Sequence, residues 1–155
     1  MDERGQSMTV VPMEPKHIED LERLELECFS TPWSFDSLVS ELSNLLAVFR
    51  VAEVNGQVAG YVGMHHIVDE GFICNIAVFP QYRRRGVATH LMESLIEYAK
   101  ENDMTSISLE VRESNYSARA LYENFQFEVV GERRNFYANP TEDALIMTKT
   151  FGRLF

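Results

Sequence analysis

The sequence predicts a mixed α/β (α+β) fold: a mostly antiparallel sheet with helices on both faces. Two observations predict it. Helical and strand periodicities alternate in the order β-α-α-β-β-β-α-β-α-β-β. Hairpins at both ends enclose one strand–helix–strand unit, which joins parallel strands by a crossover and makes the sheet mixed. That order is not the doubly wound pattern of a nucleotide-binding fold. No internal repeat, low-complexity tract or Pro/Gly/Ser-rich linker interrupts the chain. Residues 8–155 therefore read as a single domain behind a loose tail, residues 1–7.

Thr9 to Met13 reads as a short first strand. From Lys16 to Phe29, Ile18, Leu21, Leu24, Leu26 and Phe29 recur near helical spacing among many acids. The acids Glu14, Glu19, Asp20, Glu22, Glu25 and Glu27 read as a mostly solvated helix face. Thr31-Pro32-Trp33-Ser34 ends this helix, and Ser34 or Asp36 can cap a second one that finishes near Asn44. Leu46 to Val54 and Gln57 to His65 read as strands joined by Asn55-Gly56, a pair whose tolerance of positive φ suits a type I′ turn. Gly71 to Phe79 is a nearly apolar strand, as expected where both faces are covered, and Pro80 stops it. Gly86 to Glu101 is the clearest helix, with Val87, Ala88, Leu91, Leu95, Tyr98 and Ala99 in one stripe. Ser106 to Arg112 alternates, with Ile107, Leu109 and Val111 on one face and Ser108 and Glu110 on the other. Asn115 to Phe125 is a shorter helix with Ser114 or Asn115 as its cap. Phe127 to Arg133 and Ala144 to Thr150 supply two last strands.

Composition narrows the function. The chain has 155 residues, 45% hydrophobic and 25% charged, enough for one buried core. Its longest apolar run, Leu45 to Phe49, is far short of the ~18 residues a membrane span needs. The first seven residues lack a cationic start and an apolar stretch, so a cytoplasmic protein is expected. The two cysteines, Cys28 and Cys74, fit the same compartment, and no Cys or His spacing suggests a zinc site. A net charge of −10 argues against nucleic-acid binding, which draws on Lys and Arg neutralising phosphates. It suits solubility or a cationic partner. His17, His65, His66 and His90 form no constellation, since adjacent His65 and His66 face opposite sides of a strand. Neither cysteine sits in a nucleophile pattern.

Against this acidic background Arg83, Arg84 and Arg85 stand out, followed by Gly86, Val87 and Ala88 at the start of the best helix. Unpaired N–H groups and the dipole at a helix start make an anion site. Gly86 permits close backbone approach, and Ala88 and Thr89 leave room beside it. An ordinary strand-to-helix turn with exposed arginines fits the same local pattern. The Walker Lys-Ser pair and the dinucleotide fingerprint are both absent, which disfavours ATP and NAD.

Ile76-Ala77-Val78-Phe79-Pro80-Gln81-Tyr82-Arg83-Arg84-Arg85-Gly86-Val87-Ala88 resembles the acetyl-CoA motif of the GNAT superfamily of N-acetyltransferases. Further stretches resemble its RimI type: Cys28-Phe29 with Pro32-Trp33-Ser34, Leu109-Glu110-Val111-Arg112, Ser114-Asn115, Ala120-Leu121-Tyr122-Glu123, Arg134-Asn135-Phe136-Tyr137 and Glu142-Asp143-Ala144. Those enzymes acetylate the N-terminal alanine of a small-subunit ribosomal protein. The similarity spans about residues 8 to 150. One departure is Gln126, where relatives carry Gly after the helix.

The resemblance implies a splayed GNAT-like sheet and acetyl-CoA as acetyl donor, with no metal. Backbone groups of Ile76, Ala77 and Val78 would pair with the pantetheine arm as an added strand. Arg83, Arg84, Arg85, Gly86, Val87, Ala88 and Thr89 would take the diphosphate, and Asn115 would orient the cofactor, cap its helix, or do both. An N–H near Val78 would face the oxyanion. Glu110 would act as general base on the incoming amine and Tyr122 as general acid to the thiolate. Read without the resemblance, Glu110 is a solvated strand carboxylate and Tyr122 a core tyrosine. Trp33, Asn135 and Tyr137 would wall the acceptor site, although Trp33 also reads as a hydrophobic staple under the second helix. The implied partner is a protein N-terminus, that of a basic ribosomal protein, with direct transfer and no acyl-enzyme. A lysine side chain or a small amine as acceptor, and a non-catalytic acyl-CoA sensor, remain alternatives.

Overall fold

The computed structural model describes residues 5–152; the expected tail lies outside the described residues as far as residue 4, and the domain's last three residues lie outside them too. The elements follow the order read from the sequence. They are β1 (Met8–Pro12), α1 (Ile18–Cys28), α2 (Phe35–Leu42), β2 (Ala47–Val54), β3 (Gln57–Ile67), β4 (Glu70–Val78), α3 (Val87–Glu101), β5 (Ser106–Arg112), α4 (Tyr116–Asn124), β6 (Glu128–Tyr137) and β7 (Glu142–Thr150). The hydrogen-bonded strand order is β1-β2-β3-β4-β5-β7-β6, leaving β6 on an edge. β1/β2, β2/β3, β5/β7 and β6/β7 are antiparallel, and β4/β5 is parallel. The parallel ladder joins only Glu70–Phe72 to Ser106–Ser108.

The described residues fall into two compact units. One runs up to His65 and includes Cys74–Tyr98; the other combines His66–Ile73 with residues from Ala99 on.

In the first unit, Ile18, Leu21, Leu24, Leu38, Phe49, Val51, Tyr61, Ala77 and Phe79 form a buried cluster. Pro15 starts α1 with a short 3-10 turn, Pro15–His17, because its missing N–H costs nothing at a helix start. Ser34 caps α2 by accepting from the Ser37 amide at 3.1 Å. Asn55 and Gly56 both hold positive φ, 51° and 81°, as the β2–β3 turn requires. The backbones of β3 and β4 press together at Gly60, where an added Cβ would stand 2.6 Å from the Ala77 carbonyl oxygen.

Two expectations need correction here. Leu26 is 64% exposed, whereas Glu25 is fully buried. Glu25 lies seven residues, close to two helical turns, after Ile18 and so shares the inward stripe that Leu26 misses. The apolar run of β4 is also only partly covered: Phe72 is exposed, and Ile73–Ile76 are half-buried.

In the second unit, β5 shows the expected alternation, with Ile107, Leu109 and Val111 buried. α4 closes in a Schellman arrangement: the Phe127 amide donates to the Tyr122 carbonyl at 3.0 Å and the Gln126 amide to that of Glu123 at 2.9 Å. Gln126 accordingly holds a φ of 64°. β6 continues to Tyr137, four residues beyond the strand read from sequence, because Arg133 to Tyr137 passes a register shift that periodicity does not show.

Candidate active site

In the first unit, the chain leaves β4 through a 3-10 turn, Pro80–Tyr82, before α3. Arg84 (φ 60°) and Gly86 (φ 82°) then hold left-handed backbone conformations just before α3. The His90 amide donates to the Gly86 carbonyl at 3.0 Å, the first bond of the helix, so the N–H groups of Val87, Ala88 and Thr89 precede that ladder. Val78, Tyr82, Arg83, Arg84, Gly86, Val87, Ala88 and Thr89 line a depression of about 240 Å³ there. It combines outward amides, a helix dipole and no acid in the helix's first turn, which suits a diphosphate.

Two of the three arginines are committed to the protein. Arg83 donates from Nε to the Val78 carbonyl at 3.2 Å and from Nη2 to Cys28 Sγ at 3.5 Å. Arg85 donates to Gln6 Oε1 at 2.8 Å and lies over the Tyr82 ring. Arg84 is exposed on the loop. The anion cradle is thus mainly backbone.

In the second unit, Glu110 is carried by the half-buried face of β5. Its Oε1 is 3.4 Å from Arg133 Nε on β6, while Oε2 is buried and accepts no hydrogen bond among the described residues. An acceptor buried without any partner costs on the order of 1–3 kcal/mol, so this oxygen calls for a partner from water or a ligand. Tyr122 is buried at 4% exposure on α4, its ring 5.8 Å from Phe127. Burial, seconded by neighbouring Tyr137, pushes its phenol above the ordinary value. Tyr137 is pushed up to about 12, first by burial and then by the Glu110 charge, against the opposing pull of Arg112.

Arg112, two residues beyond Glu110, organises the β6–β7 hairpin. It donates to the Ala138 and Pro140 carbonyls, both at 2.9 Å, and to Glu142 at 3.3 Å, and covers the Tyr137 ring at 4.5 Å. Glu142 also accepts from the Ser114 amide, and these bonds hold its carboxyl below the ordinary value. Asn115 caps α4 through the Ala118 amide at 3.2 Å. Asn135 (φ 53°) is exposed and donates its amide to Asp143.

Sequence reasoning missed two groups in the first unit. Glu25, read as solvated, accepts from the Trp33 amide at 2.8 Å through Oε1. Through Oε2 it accepts from the Tyr61 hydroxyl and the Asn75 amide, both at 2.7 Å. Burial pushes its carboxyl up, and these three donors pull it partly back. Three hydrogen bonds to the carboxylate, each worth roughly 1.5–3 kcal/mol, offset the cost of burying it. Trp33 itself is half-buried, its ring 6.0 Å from Phe49 in the core cluster.

The second missed group involves one histidine, with no other histidine in it. His65 stands between Cys74 Sγ (3.4 Å) and Glu41 Oε2 (2.9 Å), a chain that three separate elements assemble and spacing hides. Burial first, and the Glu41 charge second, push the Cys74 thiol up to about 12, which withholds the thiolate a nucleophile needs. His66 turns the other way, to the Val68 carbonyl. Among the described residues no group of three His, Cys, Asp or Glu side chains could hold a metal ion, and no helix is long and apolar enough to cross a membrane.

Comparison with known proteins bears on both units. The "Acetyltransferase (GNAT) family" matches residues 18–127, a span that takes in the cradle, Glu110 and Tyr122. A presumed ribosomal protein bS18-alanine N-acetyltransferase of Bacillus subtilis (strain 168) is 40% identical over 90% of this chain and 93% of its own. The ribosomal protein bS18-alanine N-acetyltransferase of Escherichia coli (strain K12) is 33% identical over 90% and 95%. A crystal structure of the Escherichia coli ribosomal-protein-S18-alanine N-acetyltransferase superposes with a TM-score of 0.89 at 30% identity, covering 96% of this chain and 97% of that one. With fold, motif and length all in agreement, the chain belongs to the acetyltransferase (GNAT) family and is an acetyl-CoA-dependent N-acetyltransferase.

Proposed function

We propose that this enzyme acetylates the N-terminal α-amine of a protein in the cytoplasm, the acceptor being the N-terminal alanine of a small-subunit ribosomal protein. The acceptor follows from the relatives, which resemble the chain over nearly its whole length and are named for that activity. The chemistry rests on one observation: the Glu110 Oε2 is buried on β5 with no hydrogen-bond partner among the described residues.

Bound acetyl-CoA supplies an activated thioester. Val87, Ala88 and Thr89 hold its diphosphate by backbone amides, with Arg84 adding charge, and Ile76–Val78 receive its pantetheine arm. A peptide α-amine has a pKa of roughly 7.7–8.0, so part of it is already neutral near pH 7 and a carboxylate suffices to take its proton. Glu110 takes that proton, directly or through a water. Tyr122, whose phenol is held in the protonated form, gives its proton to the departing thiolate. An amide near Val78 stabilises the oxyanion. Asn115 keeps its cap and turns its amide nitrogen to the cofactor. Trp33, Asn135 and Tyr137 wall the acceptor side. Transfer is direct, in keeping with a Cys74 thiol that stays protonated.

A broader choice of protein N-termini is the second reading, favoured by a Saccharolobus solfataricus N-alpha-acetyltransferase that is 31% identical over 95% of both chains. Incubation with acetyl-CoA and peptides beginning Ala, Ser, Met or Gly, beside a peptide with a blocked N-terminus and an internal lysine, separates the readings by mass spectrometry. The Ala peptide should be acetylated fastest. Equal rates on all four N-termini select the second reading, and modification of the blocked peptide at a similar rate overturns both.

A further inference from the structure

We propose that Glu25 is a positioning residue for acceptor binding: its buried carboxylate ties the loop between α1 and α2, through the Trp33 amide, to β4, through Asn75. The inference rests on the proposed reading in which Trp33 walls the acceptor site.

The geometry sets the two sides of this clamp apart. Asn75 lies on β4, a strand of the sheet, and so gives the clamp a fixed point beside Ile76. The loop from Phe29 to Ser34 lies outside helix and strand, and the Trp33 N–H is a backbone donor that another element captures there. Because Oε1 serves Trp33 while Oε2 serves Tyr61 and Asn75, one rigid carboxylate fixes the spacing between loop and strand. A carboxylate buried only to hold α1 would bond within the helix or to its packing partners. Only the bond from Tyr61 goes to a packing partner of α1; the other two go to a loop and a strand that the proposed reaction uses.

Replacement separates this role from simple stabilisation. Glu25→Leu keeps the apolar volume and releases Trp33. Glu25→Gln keeps a carbonyl for the Trp33 amide, and its NH2 can be accepted by the Tyr61 hydroxyl and a turned Asn75 side chain. Glu25→Asp keeps the charge but is too short to span both partners, and it serves if the leucine variant fails to fold. Amide hydrogen exchange at Trp33 and initial rates against peptide and acetyl-CoA are measured on each folded variant. In Glu25→Leu or Glu25→Asp, Trp33 exchange should accelerate and the peptide KM rise at least tenfold. The acetyl-CoA KM and kcat should move less than twofold, and Glu25→Gln should recover most of the loss. A folded Glu25→Leu or Glu25→Asp protein with unaltered Trp33 exchange overturns the clamp whatever the acceptor. So does a parallel rise of both KM values. If the wild-type enzyme acetylates no peptide N-terminus, the acceptor reading fails, and the exchange measurement still decides whether the clamp exists.

Discussion

Glu110 and Tyr122 differ in the kind of strain each tolerates. In the proposed mechanism the Glu110 Oε2, buried with no hydrogen-bond partner among the described residues, is the atom that meets the amine. Glu110→Gln should therefore fold normally, bind acetyl-CoA as the wild type does in calorimetry, and lose on the order of 10²-fold in kcat. Unchanged turnover removes Glu110 from the mechanism. Tyr122→Phe should lose turnover similarly, without a large loss of stability, because its ring and not its hydroxyl fills the space beside Phe127. The pH profile carries the sign of these assignments. Rate should climb as the acceptor amine loses its proton through about pH 7.7–8.0. Since burial raises the Tyr122 phenol, it stays protonated well beyond that range, and no fall should follow below about pH 9. A descending limb inside that window would assign the acid to another group.

At the scale of elements, the turns carry the information. Gly86 at φ 82° opens the first turn of α3, and a β-branched residue is poorly tolerated there. Gly86→Val should weaken acetyl-CoA binding at least tenfold by titration, with peptide binding to the same protein little altered. Gln126 is the converse case, a side chain in a left-handed position that costs on the order of 1 kcal/mol. Gln126→Gly should raise Tm by about 2–4 °C in calorimetry, glycine's greater freedom in the unfolded chain returning part of the gain. These elements were legible in the sequence because their signals are local: Asn55-Gly56, the Ser34 cap, the stripe of α3 and the alternation of β5. The buried Glu25, the Cys74–His65–Glu41 chain and the Arg112 fastening of the hairpin were not. Each joins residues from elements distant in sequence, and a charged residue on an inward helical position looks, locally, like any other acid. Glu25 was misread for that reason, and Leu26 took its place in the apolar count.

Over the whole molecule, the net charge of −10 would favour a cationic acceptor. Association with a basic peptide should slow as salt rises, because the Debye length shrinks from about 10 Å at 0.1 M to about 3 Å at 1 M. Peptide KM measured across that range should climb for a Lys/Arg-rich N-terminal peptide and stay level for an uncharged one beginning with the same residue. If both respond alike, charge plays no part in acceptor choice. The family match across residues 18–127 was legible from motif and strand order together, neither of which identifies an acceptor. Trp33 adds a practical property, since it is the only tryptophan in the 155 residues. All indole emission from this protein arises on the loop beside Glu25, so a fluorescence change on adding peptide would test, without a label, the proposal that the acceptor meets this loop.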